Sequence, residues 1–125
     1  MLIEYSEKNV KRAIDAQILD SQDEDTYGSY NFSQSLCGNA TVLEGLSAAY
    51  EIIPGAVLKQ RILNSIEKGM LYLSKYQVKT GKHEGGIPKS YRWNFVDTVD
   101  KDKEIRIDYV QHTLSAFILC KLLLK

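Results

Sequence analysis

The chain has no surplus of either charge, few cysteines and prolines, and no long apolar run. Its 125 residues include 16 basic and 16 acidic side chains, two cysteines and two prolines. Zero net charge argues against a nucleic-acid-binding protein, which needs a clustered basic surface. No apolar run approaches the ~20 residues that span a bilayer, so we expect no membrane segment. The first residues lack the basic and apolar stretches of a signal peptide, and we therefore expect a cytoplasmic protein.

The sequence also lacks the short motifs that mark common catalytic and metal sites. Cys37 and Cys120 are far apart and show no C-x-x-C or Cys/His ligand spacing. We expect two buried free thiols, with a single disulfide between them as the alternative. There is no nucleophile elbow, no phosphate-binding glycine loop and no His-Glu-x-x-His. We expect neither a cofactor nor a metal.

Hydrophobic periodicity predicts an all-α chain whose four helices form two antiparallel hairpins in one domain. The hairpins are expected at 1–53 and 54–125. The first and third helices, about 6–21 and 56–77, each carry a single apolar stripe. A helix with one apolar stripe keeps its other side in water, so these two are the predicted outer helices.

The second and fourth predicted helices, about 41–53 and 109–124, are apolar nearly all round. Such helices must be covered on every side, so we expect them to be the inner ones. The stretch 41–44 (TVLE) is typical of a capping box that opens the second helix, and Pro54-Gly55 closes it.

The two predicted hairpins resemble each other in sequence. Residues 12–22 align with 67–77, and each stretch ends in a glutamine that follows an aliphatic residue by four positions. The triplet Leu46-Ser47-Ala48 aligns in the same way with Leu114-Ser115-Ala116. This pattern favours an internal repeat of one outer and one inner helix.

The order of these elements resembles that in α/α-toroid proteins. It runs from an outer helix with this ending, through an acidic or glycine-rich loop, to an inner helix of small and apolar residues. The segments that carry the resemblance are 18–30, 39–50, 73–77, 85–91 and 105–118. These proteins include terpenoid-cyclase-like and prenyltransferase repeats, six-hairpin glycosidases and sugar epimerases. The Asp-x-Asp-Asp motif of the cyclases and the zinc ligands of the prenyltransferases are absent. The resemblance therefore implies carbohydrate processing, and for an enzyme it implies a glycoside hydrolase, lyase or sugar epimerase.

A toroid of this kind commonly has six hairpins, whereas this chain supplies two. We therefore expect either self-association of the chain or a place for it within a longer toroid polypeptide. A compact four-helix bundle that forms no ring is the alternative.

The resemblance places a functional mouth where the inner helices begin, which includes Asn39, Thr41 and Glu44. The candidate catalytic residues are Glu84, Asp108 and His112. Asp108 and His112 lie four positions apart and share a helix face, where they would form a general acid/base pair or bind a metal. The alternative is structural, with Asp108 in a capping pair with Gln111 and His112 as a core histidine.

The segment before the fourth helix has aromatic residues at alternate positions, Tyr91, Trp93 and Phe95. Alternation predicts a small β-hairpin at about 90–108, whose rings either pack on the bundle or stack on a sugar. The candidate substrate-binding residues are Tyr91, Trp93, Arg106, Tyr109 and Asn39. We expect a saccharide-binding or carbohydrate-processing domain. A non-catalytic helical module for oligomerisation or partner binding is the alternative.

Overall fold

The computed structural model describes residues 2–31, 35–93 and 104–124. They form four helices, α1 (Leu2–Asp15), α2 (Leu36–Ile52), α3 (Ala56–Tyr76) and α4 (Ile107–Leu123). Isolated β-bridges join 17 to 30, 35 to 90 and 88 to 105, and no sheet forms among the described residues. The predicted all-α fold of two helical hairpins is confirmed.

The bounds of α1 and α2 differ from the predicted ones. α1 ends at Asp15 rather than near residue 21, because the chain there turns into the loop and Ile18 bonds to Ser29. α2 begins five residues before the predicted start, and Ser35 caps it by accepting a hydrogen bond from the Gly38 amide at 3.0 Å. The capping box at 41–44 is therefore wrong, since those residues lie inside α2.

The predicted β-hairpin at about 90–108 is not found in the described residues. Ser90 and the residues up to Trp93 lie in a turn, and Ile105 forms its bridge with Pro88, which precedes the predicted hairpin. The middle of the segment, 94–103 with Phe95, lies outside the described residues. The amide of Lys89 donates to the Glu104 carbonyl at 2.8 Å, so this contact positions the start of α4.

α2 lies at the centre of the bundle and contacts each of the other helices. α1 and α3 pack on one side of α2 and α4, and in the described residues α1 does not contact α4. The Ser47 hydroxyl lies 3.3 Å from the Cys120 sulfur, and Glu44 contacts His112 earlier along both helices. Because the two contacts follow each other in the same order along both helices, α2 and α4 run parallel.

The core lies between the outer pair α1 and α3 and the pair α2 and α4. Its largest fully buried side chains are mostly aliphatic and aromatic, and the biggest come from α2, α3 and the connecting loops: Tyr30, Leu36, Leu43, Ile53, Ile62, Ile66, Leu73 and Ile87. Gly69 allows α3 to approach α2, because a Cβ there would lie 2.6 Å from Leu43 Cδ2. The helices thus pack closely at this point.

The two loops that lead from an outer to an inner helix share one backbone hydrogen-bond pattern. Ile18 exchanges hydrogen bonds with residues 28–29, and Val78 exchanges the equivalent bonds with residues 85–86. The glycine in each pair has a positive φ, +90° at Gly28 and +85° at Gly85. A left-handed residue of this kind favours glycine, so the two loops share one local structure.

Within this one chain, α2 and α4 are not covered on every side. The side of the pair that faces away from α1 and α3 is open, and large aliphatic side chains of α4 are exposed on it. A helix that is apolar nearly all round is therefore not necessarily covered on every side by its own chain.

Candidate functional site

The middle of α2 and the second turn of α4 lie side by side in the parallel pair. Here His112 Nδ1 lies 3.2 Å from Glu44 Oε1 and 3.4 Å from Oε2. The pair is half-buried, with 40% of the His112 side chain and 23% of the Glu44 side chain exposed. The two residues are 68 positions apart, which is the offset of the Leu-Ser-Ala triplets. Equivalent positions of the two halves thus contact each other across the repeat.

Asp108 bonds to Arg106 and not to His112. Arg106 Nε donates to Asp108 Oδ1 at 3.0 Å, and the guanidinium lies 5.4 Å from the centre of the Tyr109 ring. In the described residues no hydrogen bond or ion pair joins Asp108 to His112. The capping alternative is also wrong, because the N-cap of α4 is Arg106 and no side chain caps that end.

Cys37 lies beside these charged groups in the first turn of α2. Burial raises the pKa of its thiol, and the nearby carboxylates of Asp108 and Glu44 raise it further. Cys37 is half-buried and Cys120 is buried, and both thiols are free. We call Cys37, Glu44, Arg106, Asp108 and His112 the polar cluster.

The charged members of the polar cluster are paired with one another in the described residues. Several clefts of the chain are lined by other side chains. General acid/base catalysis needs a group within hydrogen-bond reach of a bound substrate. Among residues 2–31, 35–93 and 104–124, no three His, Cys, Asp or Glu side chains are placed to hold a metal ion.

Of the other predicted polar residues, Tyr109 adjoins the cluster through the Arg106 guanidinium, whereas Asn39 makes its hydrogen bonds elsewhere. Glu84 is exposed in the turn before Gly85, and its carboxylate makes no hydrogen bond or ion pair in the described part of the chain. Asn39 is 1% exposed and bonds to the Tyr30 amide and the Ser35 carbonyl, so it holds the loop onto α2. The buried Tyr109 reaches Glu104 Oε2 at 3.4 Å. The structure therefore does not gather the predicted catalytic trio at one place.

Two of the predicted substrate-binding residues do lie together. Tyr91 and Trp93 line a cleft of about 490 Å³ with Tyr76, and the backbone and lysines of 75–80 form its other wall. The rings of Tyr76 and Tyr91 meet edge to face with their centres 5.9 Å apart.

The sequence reasoning did not identify the surface that the exposed residues of α2 and α4 form. We call this surface the α2–α4 face. α2 contributes mostly small residues, Thr41, Gly45, Ala48 and Ile52, and α4 contributes large ones, Ile107, Leu114, Ile118 and Leu122. Each set recurs at helical spacing, and this periodicity was the available signal. None of the described helices is both long and apolar enough to cross a membrane.

No family model matches the chain, and neither a curated protein nor a solved structure shows significant similarity to it. The resemblance to α/α-toroid proteins therefore remains a prediction from the sequence.

Proposed function

We propose that this chain is a non-catalytic helical-hairpin module that associates with a second copy of itself through the α2–α4 face. The observation that carries the proposal is one exposed aliphatic stripe on α4. Leu114, Ile118 and Leu122 leave 57%, 53% and 57% of their surface uncovered. Contiguous exposed apolar patches of this kind mark interaction sites in soluble proteins.

The size of the face fits an association surface. From residue 107 to residue 122 a helix rises about 22 Å, and two adjacent helices span about 20 Å. The footprint is roughly 450 Å², about the size of the largest apolar patch on a typical monomer, and such patches are often functional. The apolar area would drive association, since burying it is favourable in proportion to its extent.

The shape of the face favours a second copy as the occupant. The α2 half is a shallow groove, because a Cβ at Gly45 would meet nothing within 4 Å and its neighbours along the stripe are small. The α4 half is a ridge of large side chains. A twofold axis that runs along the helices places the ridge of each copy in the groove of the other, as an isologous interface requires.

The charges near the face are compatible with this arrangement. Glu44 is paired with His112, and Arg106 is paired with Asp108. Because these four charges have partners in their own chain, a twofold contact does not bring them together as unpaired like charges.

Sedimentation equilibrium of the chain at micromolar concentration tests the proposal. We expect a dimer for the native sequence and a monomer for Ile118→Glu, with helical circular dichroism unchanged. Val57→Glu is the matched control, because Val57 is 79% exposed on α3, away from the face. A monomeric native chain, or an Ile118→Glu chain that remains dimeric, would overturn the proposal.

Disulfide trapping tests the twofold geometry. α2 and α4 run parallel, and the Glu44–His112 and Ser47–Cys120 contacts relate positions along one helix to positions along the other. By these contacts, Ala48 and Ile118 lie at about the same level along the helix axes. In a Cys37→Ser background, we expect Ala48→Cys chains to cross-link with Ile118→Cys chains and not with each other. If Ala48→Cys chains cross-linked with each other as much as with Ile118→Cys chains, that result would contradict this geometry.

Saccharide binding is the second candidate function, and the cleft lined by Tyr76, Tyr91 and Trp93 favours it. Flat rings beside lysine and backbone polar groups are typical of sites for small polar ligands. Titration with neutral oligosaccharides, followed by Trp93 fluorescence, tests this candidate because the chain has a single tryptophan. We expect a saturable change, and an unchanged emission spectrum would contradict the candidate.

A further inference from the structure

The cleft beside Trp93 carries positive charge that a neutral saccharide does not use. Lys75 and Lys79 line it together with the Tyr91 and Trp93 rings, and no carboxylate of the described residues belongs to its lining. Glu24 of the first loop lines a second cleft that shares Lys75. None of the residues that line the cleft beside Trp93 belongs to the α2–α4 face, so a ligand there does not depend on the proposed association.

Both lysine side chains are exposed and keep their charge available to a ligand. The Lys75 ammonium donates to the Glu24 backbone carbonyl at 2.5 Å, and the Lys79 ammonium donates to the Ser74 carbonyl near the end of α3. In the described part of the chain, neither ammonium forms an ion pair with a carboxylate. A carbonyl does not neutralise an ammonium, and an ammonium has more than one N–H donor. Each lysine can therefore bind an anion without giving up its present hydrogen bond.

The segment that forms the cleft is basic, although the whole chain has no net charge. Its only acidic side chain between residues 75 and 93 is Glu84, against the basic side chains of Lys75, Lys79, Lys82, Lys89 and Arg92. A local excess of one sign attracts ligands of the opposite sign to a cleft. We therefore expect an anionic ligand.

The rings define the other part of the ligand. Trp93 is half-buried, and no aromatic ring packs against it among the described residues. Tyr91 is half-buried as well, and the buried Tyr76 supports it edge to face. An accessible indole ring is a surface on which planar bases of every kind stack. A flat aromatic ring therefore suits this side of the cleft.

The two lysines match a phosphate monoester better than a carboxylate. A phosphate monoester carries a charge of about −1.5 to −2 at neutral pH, whereas a carboxylate carries a single charge. Lysine binds phosphate as a point charge, while planar carboxylates favour the fork of an arginine. The cleft volume of about 490 Å³ lies within the range of about 300–1,000 Å³ for small-molecule sites.

We propose that this cleft binds a mononucleotide, with the base stacked on Trp93 and the phosphate held by Lys75 and Lys79. The exposed Thr80, which follows Lys79 in the lining, supplies a hydroxyl that can donate to a phosphate oxygen. A mononucleotide uses the rings and the charges together, whereas a neutral saccharide uses the rings alone.

The test is a nuclear magnetic resonance titration of the ¹⁵N-labelled full chain with 5′-AMP. The chain has a single tryptophan, so the indole N–H signal belongs to Trp93 without further assignment. We expect a saturable shift of this signal at submillimolar 5′-AMP. Adenosine lacks the phosphate and inorganic phosphate lacks the ring, so each should bind about tenfold more weakly or less.

Variants of Lys79 separate a phosphate site from general stacking on Trp93. Lys79→Gln should weaken 5′-AMP binding by about fivefold or more, and Lys79→Arg, which keeps the charge, should restore most of the affinity. Lys11→Gln is the matched control, because Lys11 is exposed on α1 and does not line the cleft. The melting temperature of each variant shows whether the fold is retained.

Four results would overturn the proposal. They are an indole signal that 5′-AMP leaves unmoved, equal affinity for adenosine and 5′-AMP, an equal loss of affinity in Lys79→Gln and Lys11→Gln, and a signal that maltotriose moves as readily as 5′-AMP does. The last result would favour the saccharide instead. None of these results bears on the proposed dimer, which sedimentation tests separately.

Discussion

Gln17 and Gln77 make the same hydrogen bond in the two halves of the chain. Gln17 Nε2 donates to the Gly28 carbonyl at 2.9 Å, and Gln77 Nε2 donates to the Gly85 carbonyl at 3.1 Å. Both glutamines follow the end of an outer helix, and both acceptors are glycines with positive φ. The sequence alignment that matched Gln22 with Gln77 is therefore wrong, since Gln17 is the structural equivalent.

Gln17→Ala should destabilise the fold by about 2 kcal/mol or more, because it leaves the carbonyls of Gly28 and Ser65 without their donor. Gln17 is buried, whereas Gln77 is half-buried and makes one such bond. Gln77→Ala should therefore cost less than about 1 kcal/mol. Urea denaturation measures both values. Gln22→Ala is the control and should change stability by less than about 0.5 kcal/mol, and a larger loss there would restore the original alignment.

Gly28→Ala should destabilise the chain more than Gly81→Ala does. Both glycines have a positive φ, +90° and +87°, and alanine costs about 1–2 kcal/mol in that region. A Cβ at Gly28 would also overlap the Lys68 carbonyl oxygen of α3, whereas one at Gly81 meets nothing within 4 Å. The difference between the losses of unfolding free energy in the two variants gives the cost of the steric overlap. Equal losses would show that the loop does not press on α3.

The buried hydrogen bond between Tyr30 and Ser65 should give a measurable coupling energy. Tyr30→Phe leaves the Ser65 hydroxyl without this partner, and we expect a loss of about 1–2 kcal/mol. Adding Ser65→Ala removes the stranded hydroxyl, so the double variant should lose less than the sum of the single losses. Guanidinium denaturation of the native chain, the two single variants and the double variant gives the free energies of this double-mutant cycle. Tyr5→Phe on the exposed start of α1 should have no effect, and strict additivity at Tyr30 and Ser65 would contradict the contact.

Cys37 should react slowly with iodoacetamide near neutral pH. Burial, then the Asp108 and Glu44 carboxylates, raise the pKa of this thiol, so less of the reactive thiolate is present. Its rate should continue to rise above the pH at which an unperturbed thiol levels off. Asp108→Asn removes a negative charge and should lower the pKa, which speeds the reaction at pH 8.

Mass spectrometry of the Cys37 peptide follows this reaction separately from the buried Cys120. Glu51→Gln is the matched control, because it removes a carboxylate from the other end of α2. A rate that rises equally in Asp108→Asn and Glu51→Gln would indicate a general charge effect and not the local one.

The sequence predicted the helices better than the contacts between them. α3 begins at the predicted residue and α4 begins two residues early, because long apolar periodicity and Pro54-Gly55 are local signals. The start of α2 was misplaced, since Ser35 and Thr41 are both good caps and local chemistry does not choose between them.

The candidate site depended on contacts that sequence spacing does not contain. His112 was expected to pair with Asp108 four residues before it, yet it contacts Glu44 on another helix. Lys75 and Lys79 were not singled out, because nothing in their neighbours along the chain indicates that they line one cleft with Trp93. Both features arise from the packing of segments that are remote in the sequence.

By itself, the sequence determined four helices and the alternation of outer and inner elements. These follow from side-chain periodicity, which acts over a few turns of one helix. Only the tertiary structure decided that Glu44 meets His112, that Gln17 rather than Gln22 closes the first loop, and that one side of α2 and α4 is uncovered. Those outcomes depend on the distance between residues remote in the chain, because a hydrogen bond or a buried contact forms only within a few ångströms.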